Sequence, residues 1–593
     1  MEVTGIKPFS LEFSVKNPIY HSDGQKLSFI SDFSGFPQIW ELDLIVGQLA
    51  QTSFTKENII FVNYIKGGQI LIGMDASGNE RIQLYLLKFN GQLIPLTNSP
   101  DHIHQYGGSS PDGKWIAWSS NRRHPAFFDL YIQNLETLAI HQVFSANGVY
   151  SSIQWSPDGK SLLIRKTNSQ VDNDLGLLHL ETGNVNWLTD HFGEASFKNP
   201  HFNKKGDHLY LLTNKDREFF GLASLDLSTK DFTWLEMGEW DYEGLTMNKD
   251  KNMLAFSINE GGISRGVLVE LQTTAVYTWE TPMGVISDLE FSPGNQKLAF
   301  VFNGPLHPPD IWELNLRTLR TKRLTNFSRS QILDNQLIEP IPISFKSFDS
   351  LPIPAFFYKP RNPSGKLPII VYIHGGPESQ SRPVYNPILQ YFLRHGYAVC
   401  APNVRGSTGF GKTYTHLDDV RKRMDAVKDL VSLVEWLKTE GNADPGKIAI
   451  MGGSYGGFMV LAAITHFPNL WAAAIDIVGI SSIRNYLETT SPWRRKIREP
   501  EYGTIEKDGV YFDNIDPLNY ADKILCPLMV AHGANDPRVP IEESERMVKK
   551  LKERHHPVTY LRFEDEGHSF SKLKNKLIAY TAMAKFINYY IGK

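Results

Sequence analysis

The sequence predicts two domains of different fold class, a seven-bladed β-propeller over residues 1–333 and an α/β domain over residues 334–593. Three observations support this prediction. A strand-like unit recurs seven times in the first half at nearly constant spacing. From about Lys366 onward, apolar strands alternate with helical periods. In the second half a serine, Ser454, stands between two glycine pairs in the stretch KIAIMGGSYGGFMVLAAI.

Each repeat begins with a small turn followed by an apolar strand, as in SSPDGKWIAWSS, WSPDGKSLLIRK and FSPGNQKLAFVF. The steps between corresponding turn residues are 44, 45, 46, 47, 45 and 43 residues. A second strand such as PQIWELDL and a third such as KRLTN follow, which favours a four-stranded blade. One blade cannot bury both of its faces, so we expect a ring of seven rather than a long β-sandwich or a stacked solenoid. The turn residues are Gly24, Gly68, Gly113, Gly159, Gly206, Lys251 and Gly294.

Aromatic side chains recur within these units, and we expect them to pack between blades rather than to form a binding site. Examples are Trp40, Trp118, Trp155 and Trp312.

The pattern changes after about residue 333. EPIPISFKSFDSLPIPAFFYKP still predicts a β-hairpin, but the segments that follow are typical of a parallel sheet covered by helices. MDAVKDLVSLVEWLKTEG predicts an amphipathic helix that ends at a glycine, with Val427, Leu430, Val431, Val434 and Leu437 on one face. The predicted strands are LPIIVYIHGG, YAVCAPNVRG, KIAIMGGS, WAAAIDIVGI, CPLMVAHG and PVTYLRFEDEGH.

Charge, cysteine content and hydropathy limit the kinds of binding partner and the cellular compartment to expect for this protein. The net charge of −3 over 593 residues offers no basic stripe for nucleic acid and no polybasic membrane patch, so peptides or small molecules are the expected partners. The two cysteines, Cys400 and Cys526, stand in apolar contexts and predict buried free thiols, as in a reducing cytosol. The N-terminus has no basic start and no apolar core, and no run of about 18 apolar residues occurs. These features predict a soluble, cytoplasmic protein; a homo-oligomer remains open.

The glycines around Ser454 indicate a sharp, strained turn from a strand to a helix. Neighbours two residues away on either side must lack side chains to clear such a turn, and Gly452 and Gly456 meet that need. The alternative is a glycine-rich turn with an incidental serine. With a strand before it and a helix after it, G-x-S-x-G predicts that Ser454 is a nucleophile on an α/β-hydrolase fold.

A serine nucleophile needs a base and an orienting acid, which follow in the order Ser, Asp, His in this fold. Asp536 comes just after the strand CPLMVAHG, and His568 just after PVTYLRF. Loops at the carboxyl ends of neighbouring strands meet above the sheet. We therefore expect Ser454, Asp536 and His568 to form a catalytic triad, with Asp565 and Asp522 as rival acids.

The tetrahedral intermediate of such a reaction needs donors for its oxyanion. One expected donor is the backbone N–H of Tyr455, and the other is an N–H after VYIHGGP, where Gly375 and Gly376 allow a close approach of the chain. His374 is expected to be a structural hydrogen-bonding residue. No cluster of ligands at metal spacing is visible in the sequence, so neither a metal nor another cofactor is expected.

Together these motifs resemble the prolyl oligopeptidase family of serine peptidases. The resemblance covers nearly the whole chain and rests on HGGP, NVRGSTGFG, GGSYGG, HGANDPRVP and EGH behind the seven repeats. It is strongest toward the acylaminoacyl-peptidase branch, whose bacterial relatives include dipeptidyl-peptidase-like and oligopeptidase activities. The resemblance implies that Gly376 and Tyr455 are the oxyanion donors and that Arg538 binds a substrate carbonyl or carboxylate.

The resemblance also implies that the propeller covers the active site and admits only short peptides. In the dipeptidyl-peptidase branch a pair of adjacent glutamates binds the free amino terminus, but here Glu243 stands alone in EWDYEGLTM. The expected activity is therefore release of N-terminal amino acids or acylamino acids, or oligopeptidase cleavage. Tyr486 and Trp493 either line the pocket for the residue before the scissile bond or belong to ordinary packing. The alternatives are an esterase that uses the same triad and a binding propeller joined to an inactive hydrolase.

Overall fold

The computed structural model describes residues 13–65, 68–88, 90–326, 337–363 and 365–592. The described residues between 13 and 326, here called the repeat region, form mainly antiparallel sheets, and those between 337 and 592, the α/β region, form a mixed sheet covered by helices. The predicted change of fold class is therefore confirmed. The predicted boundary between residues 333 and 334 lies outside the described residues. Among the described helices, none is long and apolar enough to cross a membrane.

The described strands of the repeat region fall into groups of four consecutive strands, each an antiparallel meander. Groups 3 and 4 share one eight-stranded sheet through a parallel pair between Phe128 and Val149. Groups 1 to 4 consist of β1 (Val15–Tyr20), β2 (Lys26–Ser31), β3 (Gln38–Asp43), β4 (Leu49–Gln51); β5 (Ile59–Ile65), β6 (Gln69–Met74), β7 (Gln83–Leu87), β8 (Leu93–Pro95); β9 (His104–Ser109), β10 (Trp115–His124), β11 (Phe127–Asn134), β12 (Ile140–Phe144); and β13 (Val149–Trp155), β14 (Ser161–Thr167), β15 (Asn173–His179), β16 (Val185–Trp187).

The remaining strands continue the same pattern. Groups 5 to 7 consist of β17 (Phe197–Phe202), β18 (His208–Thr213), β19 (Gly221–Asp226), β20 (Phe232–Glu236); β21 (Asp241–Met247), β22 (Met253–Glu260), β23 (Ile263–Glu270), β24 (Ala275–Trp279); and β25 (Val285–Phe291), β26 (Lys297–Gly304), β27 (His307–Asn315), β28 (Arg320–Arg323).

The repeated turn joins the first and second strands of each group, and one residue in it has a positive φ. Glycine adopts this backbone without the strain that a Cβ causes, which explains its recurrence in the sequence. In group 6 Lys251 holds the position with φ 60°. In group 7 the residue with positive φ is Asn295 (φ 52°), one place after the predicted Gly294. Asparagine tolerates this region better than most residues, so the turn can shift by one residue.

The glycine of this turn also packs against the proline of the preceding unit. A Cβ added to Gly206 would lie 3.3 Å from Cγ of Pro157, and one added to Gly159 would lie 3.6 Å from Cδ of Pro111. Gly24 of group 1 meets Pro293 of group 7 in the same way, at 3.8 Å. The first and last groups are therefore neighbours in space.

Apolar side chains fill the spaces between neighbouring groups. Trp40 of group 1 packs with Ala299, Val301 and Ile311 of group 7. Trp118 and Trp155 are buried in clusters that join successive groups, and Trp312 is partly buried against another. The aromatic residues serve as packing between groups, as the sequence predicts.

The first strand of every group contains a shift of register against its second strand. In β1 the shift falls between Lys16 and Ile19, and Asn17 takes a positive φ of 57°. Such bulges bend a strand and change the direction of its side chains. The alternation of apolar and polar residues in the sequence does not reveal them.

The α/β region contains one eight-stranded sheet in the order β29-β30-β32-β31-β33-β34-β35-β36, parallel from β32 onward in that order. The predicted hairpin and all six predicted strands are present. The strands are β29 (Ile341–Lys346), β30 (Pro352–Tyr358), β31 (Leu367–Ile373), β32 (Ala398–Pro402), β33 (Ala443–Gly453), β34 (Ala473–Ile477), β35 (Leu528–Gly533) and β36 (Val558–Phe563).

Helices cover both faces of this sheet. Four of the five residues predicted on one face of the helix at 423–439 are buried, and Val431 is partly exposed. The helices are α1 (Pro387–Arg394), α2 (Lys412–Thr415), α3 (Arg423–Thr439), α4 (Tyr455–His466), α5 (Ile483–Thr489), α6 (Pro492–Tyr502), α7 (Ile505–Ile515), α8 (Glu542–Glu553) and α9 (Leu573–Ile591).

Polar contacts hold the two regions together. Near the start of α9, Lys576 forms an ion pair with Asp32 at 2.7 Å. On another part of the boundary, Arg382 pairs with Glu243 at 2.8 Å, and Lys412 donates to the carbonyl of Glu194 at 2.7 Å. The loops that follow β35 and β36 also contact the repeat region, through Asn535 with Ser77 and through Gly567 with Gly78, which places the candidate site at the boundary.

Candidate active site

Ser454 lies at the turn between β33 and α4, with φ 57° and ψ −121°. A non-glycine residue with these angles is strained, and strain of this kind is typical of a nucleophile elbow. A Cβ on Gly452 would lie 2.5 Å from the carbonyl oxygen of Gly456, and one on Gly456 would lie 2.7 Å from that of His374. Both glycines are required by close backbone contacts, as the sequence predicts.

Gly457, the second glycine of the pair after Ser454, must lack a side chain for a different reason. A Cβ on Gly457 would clash with a carboxylate oxygen of Asp476 on β34 and would lie 2.5 Å from Cα of Gly479. Asp476 is fully buried beside Gly479, on the loop that follows β34. Burial raises the pKa of Asp476 to about 7. Sequence reasoning gave no account of Gly457.

The structure brings Ser454, His568 and Asp536 into one hydrogen-bonded chain. Nε2 of His568 lies 3.0 Å from Oγ of Ser454, and Nδ1 of His568 lies 2.6 Å from Oδ2 of Asp536. The three side chains follow the carboxyl ends of β33, β36 and β35, which lie along the same side of the parallel sheet. This geometry allows the imidazole to accept the serine proton while the carboxylate fixes its tautomer.

Asp536 is buried and held by several donors. Its Oδ1 accepts the backbone N–H groups of Arg538 at 2.8 Å and Val539 at 3.0 Å. Burial alone would raise the pKa of Asp536, but hydrogen bonds from His532 and His568 outweigh it and hold the pKa well below its ordinary range. Asp536 is therefore a carboxylate at neutral pH.

His532 is a second histidine beside Asp536 that sequence reasoning did not single out. Its Nε2 lies 3.4 Å from Oδ2 of Asp536, and its Nδ1 lies 2.6 Å from Oγ of Ser544. The sequence feature that could have indicated this contact is the spacing of four residues between His532 and Asp536 in HGAND, which places both side chains on one turn.

The rival acids do not contact His568. Asp565 binds Lys572 at 2.8 Å and Asn575 at 2.9 Å, and Asp522 is exposed. Of the three candidate acids, Asp536 is the one hydrogen-bonded to the histidine.

The loop after β31 passes close to the elbow. A Cβ on Gly375 would lie 3.1 Å from the carbonyl oxygen of Gly453 and 3.4 Å from Cβ of Ser454. Gly376 follows with φ 133°, and Tyr455 is the first residue of α4. The backbone N–H groups of Gly376 and Tyr455 therefore lie on the two segments that flank Ser454.

His374 is buried beside this loop. Its Nε2 lies 2.9 Å from Oγ of Ser407, and its Nδ1 lies 2.7 Å from the carbonyl oxygen of Gly375. Burial lowers the pKa of His374, which favours the neutral ring. These contacts agree with the structural role expected from the sequence.

Behind the elbow lies a buried charged cluster that the sequence did not reveal. Arg423 pairs with Asp418 and Glu501 and donates to the hydroxyl of Tyr455 at 3.0 Å. The Tyr455 hydroxyl in turn donates to Asp418 at 2.9 Å. Carboxylate oxygens of Asp418, Asp419 and Glu501 lie within 4.8 Å of one another, and Arg423 offsets their charge. The cluster fixes the side chain of the residue that follows Ser454.

Arg538 is engaged by the repeat region. Its Nε lies 2.6 Å from Oε1 of Glu80, and Nη2 of Arg494 lies 3.3 Å from the other oxygen of Glu80. About half of the Arg538 side chain remains exposed. The predicted contact of Arg538 with substrate would therefore compete with Glu80 or share the site with it.

His568 opens into a cavity of about 430 Å³ at the boundary between the regions. Trp493 lines this cavity and stands edge-to-face against Phe128, with ring centroids 5.6 Å apart. Tyr486 is buried and packs against Tyr502 at 5.6 Å. Of the two aromatic candidates, Trp493 thus faces the cavity and Tyr486 belongs to the core.

Glu243, the isolated glutamate of EWDYEGLTM, has its carboxylate occupied by neighbours. Its two oxygens accept hydrogen bonds from Asn259 at 3.0 Å and from Arg382 at 2.8 Å. It therefore contributes to the contact between the two regions.

Comparison with known proteins agrees with this architecture. Residues 383–593 match the model of the prolyl oligopeptidase family, and residues 309–425 match that of acetyl xylan esterase. The chain is 33% identical to dipeptidyl aminopeptidase BIII of Pseudoxanthomonas mexicana over 42% of this chain and 38% of that protein. It is 26% identical to the acylamino-acid-releasing enzyme of Rattus norvegicus over 41% of this chain and 35% of that enzyme.

The matches thus span well under half the length of these relatives. The similarity in fold extends over the whole chain. A puromycin-hydrolysing peptidase of Mycobacterium tuberculosis superimposes with a TM-score of 0.88 at 20% identity, over 100% of this chain and 96% of that one. The family resemblance expected from the sequence is confirmed.

Proposed function

We propose that this chain, whose residues 383–593 match the prolyl oligopeptidase family, is a serine peptidase that hydrolyses short peptides through an acyl-enzyme. The observation that carries the proposal is the hydrogen-bonded chain from Ser454 through His568 to Asp536 at a strained elbow. The names of the relatives, dipeptidyl aminopeptidase and acylamino-acid-releasing enzyme, support a peptide substrate.

In the proposed mechanism His568 Nε2 takes the proton of Ser454 as Oγ attacks the scissile carbonyl. The N–H groups of Tyr455 and Gly376 stabilise the oxyanion of the tetrahedral intermediate. The intermediate collapses when the leaving amine accepts the proton from His568. A water molecule, activated by the same imidazole, then hydrolyses the acyl-enzyme. Asp536 remains charged and holds the ring in the required tautomer.

We also infer that the groups of the repeat region are the blades of a seven-bladed propeller, joined to the α/β-hydrolase domain at residues 333 and 334. The packing of group 1 against group 7 supports a closed ring. Loops of the repeat region reach the loops that carry Asp536 and His568, which supports a covered site. Substrates would then enter by the channel of the ring or by a gap at the boundary.

The proposed activity is release of N-terminal amino acids or acylamino acids, or oligopeptidase cleavage. Glu243 is bound by Arg382, so it is not offered as a partner for a free amino terminus. Profiling with matched peptides, each prepared with a free and with an acetylated N-terminus, tests this choice. Products read by mass spectrometry assign the cleaved bond, and Ser454→Ala serves as the inactive control.

An esterase is the second candidate. The match of residues 309–425 to acetyl xylan esterase favours it, and the same triad would serve both reactions. Rates on a p-nitrophenyl ester, an acetylated sugar and the peptide set decide between them. A kcat/KM for peptides far below that for the acetylated sugar would reject the peptidase.

We further propose a cytoplasmic location. Cys400 and Cys526 are free and buried, and burial raises the pKa of Cys526 to about 12, which suits an unreactive thiol. Fractionation of cells that express the tagged chain tests the location.

A further inference from the structure

The cavity beside His568 contains charged side chains from both regions. Arg538 and Glu80, which both line it, pair with each other, and Arg494 adds a second cation to Glu80. Two cations share one carboxylate, so this group carries a net charge of +1.

Lys16 lines the same cavity from the first strand of group 1. Lys16 lies at the register shift of β1, next to Asn17, which has a positive φ. A bulge of this kind bends the strand and changes the direction of its side chains. The Lys16 ammonium group has no hydrogen bond or ion pair within the part of the chain that the structure describes. Burial lowers the pKa of Lys16, although carboxylates in the neighbourhood act in the opposite direction.

Two of those carboxylates, Asp32 and Asp288, are bound to other groups. Asp32 pairs with Lys576 at 2.7 Å, and Asp288 accepts the backbone N–H of Asn17 at 3.0 Å. Asp75, which also lines the cavity, accepts the N–H of Glu80 at 2.9 Å through one oxygen. Its other oxygen is buried with no partner among the described residues. No hydrogen bond or ion pair joins Asp75 to Lys16 among the described residues, so the partly buried ammonium group lacks a direct anionic partner, which costs free energy.

We propose that Lys16 is a substrate-binding residue that takes a carboxylate group of the peptide. The carboxylate is either the C-terminus of a short peptide or an acidic side chain, since both present the same chemistry to an ammonium group. This inference deepens the proposed function and rests on it for the identity of the ligand.

The test compares three sets of acetylated pentapeptides of mixed sequence. One set ends in a free carboxylate, the second in an amide, and the third in an amide with one internal glutamate. Affinity is measured by calorimetric titration in the Ser454→Ala background, and kcat/KM is measured in the otherwise unchanged chain. The variants are Lys16→Met and Lys16→Arg. Lys251→Met is the matched control, because Lys251 is also a partly buried lysine but lies outside the cavity lining.

We expect the unchanged site to prefer one carboxylate-bearing set over the plain amide by about tenfold, the effect of one charged hydrogen bond. Lys16→Met should abolish this preference without weakening the plain amide, and Lys16→Arg should retain most of it. Lys251→Met should change nothing. Preference for the first set assigns the C-terminus, and preference for the third assigns an acidic side chain.

Equal affinity for all three sets, or a preference that survives in Lys16→Met, would overturn the inference. A loss in Lys16→Met that is equal for acids and amides would show that Lys16 only supports the fold beside Asp75. Failure of the peptidase proposal looks different. In that case no set is hydrolysed by the unchanged chain, whereas binding in the Ser454→Ala background still reports on Lys16.

Discussion

Gly78 and Gly567 meet backbone to backbone across the boundary between the repeat region and the α/β region. A Cβ added to Gly78 would lie 2.7 Å from the amide nitrogen of Gly567, and one added to Gly567 would clash with the carbonyl of Gly78. Gly567 directly precedes His568. Nearby, Asn535, the residue before Asp536, donates to the carbonyl of Ser77 at 3.4 Å. One loop of the repeat region thus supports the loops of both triad partners.

This contact predicts that Gly78→Ala lowers activity even on a substrate small enough to pass the repeat region freely. The added methyl group must displace the His568 loop, and a shift of about 1 Å at a catalytic group can cost about 100-fold. We expect kcat/KM to fall by about 10- to 100-fold for a p-nitrophenyl ester and for peptides alike. If the repeat region acted only as a filter, the ester rate would not change.

The control is Gly183→Ala. Gly183 also has a positive φ, 71°, but a Cβ there meets nothing within 4 Å. This variant carries the same kind of backbone strain without the clash, so a comparable loss of activity in it would refute the role of the contact.

Asp536→Asn should lower kcat by about 10⁴-fold, because the amide no longer fixes the imidazole in the tautomer that accepts the serine proton. The test is a comparison of kcat at pH 7 with circular dichroism spectra that show an unchanged fold. Loss of less than tenfold would contradict the assignment of Asp536.

The same residue should contribute to stability in a pH-dependent way. Its folded-state pKa is below that of the unfolded chain, so the charged form stabilises the fold above about pH 4, the ordinary carboxylate range. This contribution is lost as the pH falls from there toward the folded-state pKa. The melting temperature of Asp536→Asn should therefore lie below that of the unchanged chain at pH 7, and the gap should narrow below about pH 4.

Arg538→Ala should lower kcat/KM for peptides by about 10- to 100-fold, the effect of a lost hydrogen bond from a charged donor. A small ester should suffer less. Glu80→Gln separates this role from the ion pair, because it frees Arg538 without removing it. If Glu80→Gln reproduces the loss, and the double variant is no worse than either single one, Arg538 acts through Glu80 and not on the substrate.

A covered site should exclude folded proteins. We expect peptides up to a few tens of residues to be cleaved and a stably folded protein to remain intact, because a repeat region that covers the site as proposed would keep a folded chain away from Ser454. The comparison needs a ladder of peptides and one folded protein, with products read by mass spectrometry. Steady cleavage within the folded protein would contradict the exclusion of folded proteins by the repeat region, but not the assignment of the triad.

The sequence was sufficient where the cause is local. The elbow at Ser454 needs glycines at fixed offsets, and Asp536 and His568 follow their strands directly, so strand order alone brings them together. The repeat spacing likewise predicted the four-stranded groups. In the seventh repeat the predicted turn residue, Gly294, is one place before the residue with positive φ, because Asn295 tolerates that backbone conformation.

The sequence was insufficient where distant segments meet. Gly457 is required by Asp476 on the next strand, and no local pattern reports that pairing. Arg538 and Glu80 are far apart in the chain, and Lys16 reaches the cavity through a bulge that leaves no mark on the alternation of residues. The contact between Arg538 and Glu80 depends on how the two regions meet, which composition and periodicity do not encode.

The central claim is that Ser454 is a nucleophile activated by His568, and covalent labelling tests it most directly. The unchanged chain and Ser454→Ala are incubated with a fluorophosphonate, digested and read by mass spectrometry. The account predicts one phosphonylated peptide, modified at Ser454, in the unchanged chain and none in Ser454→Ala. Absence of labelling in the unchanged chain, or labelling and hydrolysis that persist in Ser454→Ala, would contradict it.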